Sequence, residues 1–96
     1  MADTAGGEIL HDSAQGRFST TVDGHTGYVE YVLRDGVMDI LHTIVPKEIG
    51  GRGIAGHLVR AALEFARAGD LAVRATCEYA AAWMARHPEY DGLRAG

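Results

Sequence analysis

Residues 42–58 read HTIVPKEIGGRGIAGHL: an apolar strand-like run, a proline, four glycines within seven residues, then an apolar periodic segment. Glycine loses more backbone freedom on folding than any other residue, so a cluster of this kind needs a structural reason. Upstream of it apolar residues alternate, and downstream they recur at three- and four-residue intervals. The cluster therefore joins a sheet half to a helical half, and the end of a strand must meet the start of a helix there.

The sheet half reads as a meander of four strands between residues 8 and 45. EILHD (8–12) is a short first strand, and SAQG turns the chain. RFSTTV (17–22) alternates, with Phe18, Thr20 and Val22 on one side. Asp23-Gly24 and Asp35-Gly36 are two-residue hairpin signals, because both central positions tolerate positive φ. Between them HTGYVEYVLR (25–34) is rich in aromatic and β-branched residues, as strands are. VMDILHTIV (37–45) is apolar on both faces and reads as a central strand.

The helical half begins at Ile54, with Leu58, Ala61, Ala62 and Phe65 on one face and Arg52, Arg60, Glu64 and Arg67 on the other. Gly69 is a suitable stop. LAVRA (71–75) is a fifth strand, and EYAAAWMARH (78–87) a second helix ended by Pro88. The tail EYDGLRAG has no periodic signal. The order is thus β-β-β-β-α-β-α, an α+β class. One crossover helix between strands four and five makes those two parallel. The expected organisation is a single domain over 8–92, with loose segments at 1–7 and 93–96.

Thirteen acidic against nine basic residues give a net charge of −4, which argues against a nucleic-acid binder. Apolar runs fall well short of the roughly 18 residues that span a bilayer. One cysteine, Cys77, rules out an intrachain disulfide and agrees with a reducing, cytoplasmic setting. None of the histidines shows metal-ligand spacing.

A glycine-rich loop feeding a helix makes an anion site. The first helical N–H groups lack internal partners, the helix dipole favours negative charge, and Arg52 can add a fork-shaped contact. The plain alternative is a turn that lets the helix start close to the sheet. GRGIAG also satisfies G-x-G-x-x-G, with Asp70 downstream, but a dinucleotide fold needs several parallel βαβ units and only one crossover is present. The G-K-[ST] of a Walker loop is absent.

VPKEIGGRGIAGHLVRAALEFAR followed by CEYAAAWMARHPEY resembles the small stand-alone members of the GNAT acyltransferase superfamily. Gly24, Tyr28, His42-Thr43, Val45-Pro46, Gly51-Arg52-Gly53-Ile54-Ala55, Cys77 with Tyr79, and His87-Pro88-Glu89-Tyr90 carry the likeness, over roughly residues 18–92. The family's loop pattern, Q/R-x-x-G-x-G/A, falls on Gly50, Gly53 and Ala55, with Gly50 replacing the usual Gln or Arg. The resemblance implies an N-acetyltransferase using acetyl-CoA. Backbone groups of Thr43, Ile44 and Val45 would hold the pantetheine arm as an added strand. Gly50, Gly51, Arg52, Gly53, Ile54 and Ala55 would cradle the pyrophosphate. The acceptor would be an unidentified amine, small or on a protein. A non-catalytic acyl-CoA-binding module is the alternative reading.

Direct acetyl transfer needs a neutral amine, a stabilised oxyanion and a proton for the leaving thiolate. The tyrosine that commonly serves as acid in the family falls at Met84, which cannot donate. Tyr79 and Tyr90 are the substitutes, with Tyr79 expected closer to the thioester. Cys77 opens a helix, where the dipole can activate a thiol, and His42 is expected nearby as its base. Cys77 read plainly is a small buried residue, and His42 a satisfied core histidine. Glu30 can meet a cationic substrate or simply be solvated. Trp83 and Met84 read as core, His11, His25 and His57 as solvated, Arg86 as surface, and His87 as a helix cap or a neighbour of the adenine.

Overall fold

The computed structural model describes residues 8–95, so the loose ends expected at 1–7 and at 96 lie outside the described residues. Strands β1 (Leu10–Asp12), β2 (Arg17–Val22), β3 (His25–Arg34) and β4 (Val37–Ile44) lie side by side in chain order, each antiparallel to the last. Helix α1 (Ile54–Ala68) then crosses over to β5 (Ala72–Ala75), which pairs parallel to β4 from Val37↔Ala72 to Ile40↔Ala75. Helix α2 (Glu78–Ala85) follows. This is the α+β arrangement that the sequence implied. Both Asp-Gly pairs turn as expected, with φ of 52° and 80° at Asp23-Gly24 and 54° and 78° at Asp35-Gly36. Positive φ at both positions matches the turn to the right-handed twist of the strands.

α1 buries Ile54, Leu58, Val59, Ala62, Leu63 and Ala66 against the sheet face that carries Phe18, Val29, Tyr31, Met38, Ile40 and Val73. Each large aliphatic side chain buried there contributes about 1.5–3 kcal/mol. Trp83 of α2 lies on Gly56 of α1, and Arg60 of α1 bonds the Tyr90 hydroxyl, so the later elements pack on the same side as α1. The other sheet face, with Thr21, Glu30, Val32, His42, Ile44 and Arg74, is exposed or half-exposed and carries no described helix.

β4 is not regular. Glu30 pairs with His42 but Tyr31 pairs with Ile40, so Leu41 is an extra residue, a β-bulge. A bulge shifts side-chain alternation by one. Met38 and Ile40 face the core and so does Thr43, which pairs with the fully buried Val29. His42 is turned to the uncovered face. In an unbroken strand it would have shared the face of Met38 and Ile40.

Three features depart from the sequence reading. After Pro88 the chain forms a 3-10 turn, Pro88–Leu93, that buries Tyr90 to 1% exposure. A turn of period three is too short to show periodicity. Residues 93–95 are held rather than loose, since Leu93 packs on the core and the Ala95 N–H donates to the Val73 carbonyl at 2.8 Å. His11 is accessible but not simply solvated. Its ring stacks on Phe18 at 4.0 Å, and its Nε2 lies 2.5 Å from the Tyr31 hydroxyl.

Candidate active site

β5 stops pairing at Ala75, and the Cys77 N–H makes one last bond, 2.9 Å, to the Ile40 carbonyl. From there the chain leaves the sheet to start α2. Past Ile40, β4 therefore has no strand beside it on that edge among the described residues. Its outward backbone groups, at Thr43 and Val45, face an opening, as an edge strand's do. The chain then passes Pro46 and a 3-10 turn, Lys47–Ile49, anchored by the fully buried Ile49.

The glycine loop follows. Gly51 and Gly53 have φ of 78° and 77°, a left-handed backbone that strains any other L-residue, and Gly53 is the N-cap of α1. No side chain caps the helix. The first-turn N–H groups are thus left available, which is the property an anion needs. Val45, Ile49, Gly50, Gly51, Gly53, Ile54, Ala55 and Tyr79 line a groove of about 300 Å³ at this point. Five of the expected cradle residues and the expected Val45 meet there. Arg52 does not line it. Its Nη1 bonds Asp23 Oδ2 at 2.8 Å, tying the loop to the tip of the β2–β3 hairpin.

Tyr79 separates this groove from a second of about 380 Å³ that includes Gly53, Gly56, His57, Arg60, Trp83 and Arg86. Gly56 is required by close approach. A Cβ there would sit 2.8 Å from Trp83 Nε1 and 3.5 Å from the Tyr79 hydroxyl. The Tyr79 hydroxyl is therefore beside the first turn of α1, where it walls both grooves. Tyr90 lines neither groove. Its buried hydroxyl donates to Glu64 at 2.6 Å and accepts from Arg60 at 3.0 Å. Burial, reinforced by the bond to Glu64, raises its pKa above the ordinary 10.0. Met84 is buried core, as expected, and His87 caps α2 by donating from Nδ1 to the Trp83 carbonyl at 2.7 Å.

The Cys77 thiol is half-buried and donates to Thr43 Oγ1 at 3.5 Å. That bond brings the end of β4 and the start of α2 together at the mouth of the splay. His42 does not join them. The bulge at Leu41 sends it to the opposite face, so the expected Cys77–His42 pair is not formed. Ile44 also turns its side chain to the uncovered face, and its carbonyl lies against Gly27 of β3 rather than at the free edge. Among the described residues no three His, Cys, Asp or Glu side chains are grouped to hold a metal ion, and no helix is long and apolar enough to cross a membrane.

A splayed parallel pair, a free strand edge and an uncapped glycine-led helix suit an extended ligand ending in phosphate, and known proteins share the arrangement. The chain is 38% identical to the human Protein NATD1, over 83% of this chain and 74% of that protein. It is 38% identical to the zebrafish (Danio rerio) Protein NATD1, over 85% and 79%. The NMR solution structure of a GCN5-like protein from Staphylococcus aureus superposes with a TM-score of 0.74 at 27% identity, covering 93% of this chain and 88% of that one. The family model for GCN5-related N-acetyl-transferases matches residues 17–93, the segment that holds the splay, the glycine loop and Cys77. The chain belongs to the GCN5-related N-acetyltransferase family.

Proposed function

We propose that this protein transfers an acetyl group from acetyl-CoA to a primary amine. The observation that carries the reading is the unpaired edge of β4 running directly into the uncapped start of α1. Thr43 and Val45, on either side of Ile44, offer outward backbone groups to the pantetheine amides, in the manner of an added strand. The N–H groups at Gly53 to Gly56, with the helix dipole behind them, hold the pyrophosphate. Arg52 is within reach of the same phosphates once it leaves Asp23. When bound, acetyl-CoA supplies a thioester whose carbonyl carbon takes the amine. The residues at that end are Cys77 and Thr43. The Thr43 oxygen accepts the Cys77 S–H, and no base is among that thiol's hydrogen-bond partners in the described residues. This favours direct transfer, with Cys77 contacting the acyl group. The single cysteine supports a cytoplasmic setting.

Thermal unfolding with acetyl-CoA tests the cradle. A ligand at a hundredfold excess over Kd stabilises the native state by about 2.7 kcal/mol. In a domain this small that raises the midpoint by on the order of 10 °C. No rise at millimolar acetyl-CoA refutes the reading. Thiol release on adding propylamine then tests turnover, and loss of that release in Cys77→Ala tests the contact. Acetyl mass retained on the wild-type protein but not on Cys77→Ala would overturn direct transfer in favour of an acyl-enzyme. The buried Met84 at the usual acid position favours a second reading, an acyl-CoA-binding module without turnover. Tight acetyl-CoA binding with no amine-dependent thiol release would select it.

A further inference from the structure

An added strand lies in the plane of its sheet and so has two faces. At the free edge of β4 the core-side face is closed by Thr43 and the Cys77 thiol, bonded to each other at 3.5 Å. The other face opens onto the uncovered side of the sheet. That side is the open approach for an acceptor, and the bulge at Leu41 turns His42 toward it. We propose that His42 is the base that takes the acceptor's proton on the uncovered sheet face, with Glu30 as its charged neighbour. The proposal rests on the acetyltransferase reading.

The chemistry requires such a group. An aliphatic amine is mostly protonated at neutral pH and cannot attack until it loses that proton. Imidazole is the side chain whose ordinary range spans neutral pH. His42 is exposed and one residue from Thr43, on the strand that would flank the thioester. Glu30 is its direct cross-strand partner. Such partners have Cβ atoms about 4.5–5.5 Å apart. A carboxylate at that range attracts the incoming ammonium. The other charges that register places on this face are Asp12, Arg17, Arg34, Asp39 and Arg74. Arg17 lies over the Tyr28 ring at 4.1 Å and 3.9 Å from Glu30 Oε1, and Asp39 accepts the Thr76 hydroxyl at 2.7 Å. No helix shields the face, so water and a bulky acceptor both reach it. In the step, the ammonium gives its proton to the imidazole. The freed electron pair forms the C–N bond to the carbonyl carbon, the C–S bond breaks, the sulfur takes the second proton shed by the attacking nitrogen, and the imidazolium returns its proton to solvent. The products are the amide and CoA thiol.

The test compares two acceptors in the intact protein: propylamine, charged at pH 7, and aniline, already neutral. His42→Gln should lower kcat/KM for propylamine on the order of 100-fold while leaving aniline within about threefold. Glu30→Gln should act in the same direction, more weakly, and Glu30→Asp should restore part of the loss. Acetyl-CoA should stabilise all three variants as it does the wild type. A readout independent of turnover is the His42 Cε1–Hε1 resonance, which should shift when propylamine is titrated into the complex with CoA. Equal losses for the two amines, or an unmoved resonance, would overturn the assignment. Absence of any stabilisation by acetyl-CoA in the wild type would instead remove the acetyltransferase reading beneath it.

Discussion

Replacing Gly53 with alanine separates the cost of a left-handed backbone from the cost of filling a phosphate cradle. Gly53 has φ of 77°, and an added Cβ would meet nothing within 4 Å. The substitution therefore makes no clash in the free protein. A left-handed L-residue costs about 1–2 kcal/mol. Alanine's stiffer unfolded chain returns about 0.4–1 kcal/mol. The net loss is about 1 kcal/mol, or a fall of roughly 4–8 °C in midpoint. Gly36, at the β3–β4 turn, has φ of 78° and equally open space, but it lines neither groove beside α1. Gly36→Ala should lose the same stability. The two differ at the ligand. A methyl at Gly53 stands where a phosphate must approach the first-turn N–H groups. Disrupting one charge-assisted hydrogen bond removes about 1.5–3 kcal/mol. About 1.4 kcal/mol is already tenfold in Kd. Urea unfolding and calorimetric titration with acetyl-CoA measure the two quantities. Gly53→Ala should weaken binding at least about tenfold, and Gly36→Ala should not weaken it. Equal affinities in the two variants would show that the loop does not hold the phosphates.

Other outcomes follow from the packing. Thr20 is 1% exposed and its hydroxyl has no partner, so Thr20→Val should stabilise the protein by about 1–2 kcal/mol in urea unfolding; a loss of stability would show that the hydroxyl is satisfied after all. Gly56→Ala places a methyl 2.8 Å from Trp83 Nε1, and Trp83 is stacked on His87 at 3.6 Å. The overpacking, about 1–3 kcal/mol, should outweigh the helix-propensity gain of about 1 kcal/mol, lowering the midpoint and shifting the tryptophan emission; a more stable variant would refute the close contact. Tyr31 and Tyr90 both have pKa values raised above 10.0, chiefly by burial. The native state holds these protons longer than the unfolded chain does. Their stabilisation is complete below pH 10 and is lost as pH rises past it. Alkaline unfolding should therefore be less steep in Tyr90→Phe than in the wild type, and an unchanged slope would count against the buried phenol.

Much of this could be read from residue order because it depends on neighbours in the chain. The Asp-Gly turns need positive φ at both residues, and few residue types supply it, so both hairpins were legible. The apolar spacing from Ile54 is a local property of one helix, and so is the glycine cluster before it. That Gly50, Gly51, Gly53, Ile54 and Ala55 line one groove was legible for the same reason, since they are continuous along the loop and the first turn of α1. Only Arg52 departed from its expected place, because its partner Asp23 belongs to another hairpin.

The catalytic side was less legible. Alternation along VMDILHTIV places His42 with Met38 and Ile40, on the side of Cys77. One extra residue, Leu41, reverses that, and nothing in the local sequence marks it. A bulge is set by how β3 and β4 register, which depends on burying Val29 and Tyr31 on one face at once. The directions of Tyr79 and Tyr90 were likewise decided by contacts with α1, through Gly56 and through Arg60 and Glu64. The sequence alone determined the order of elements, their turns and the glycine-led start of α1, because short-range sterics and periodicity govern those. Which face each reactive side chain meets was decided only when the strands paired and the helices packed, because that depends on residues far apart in the chain.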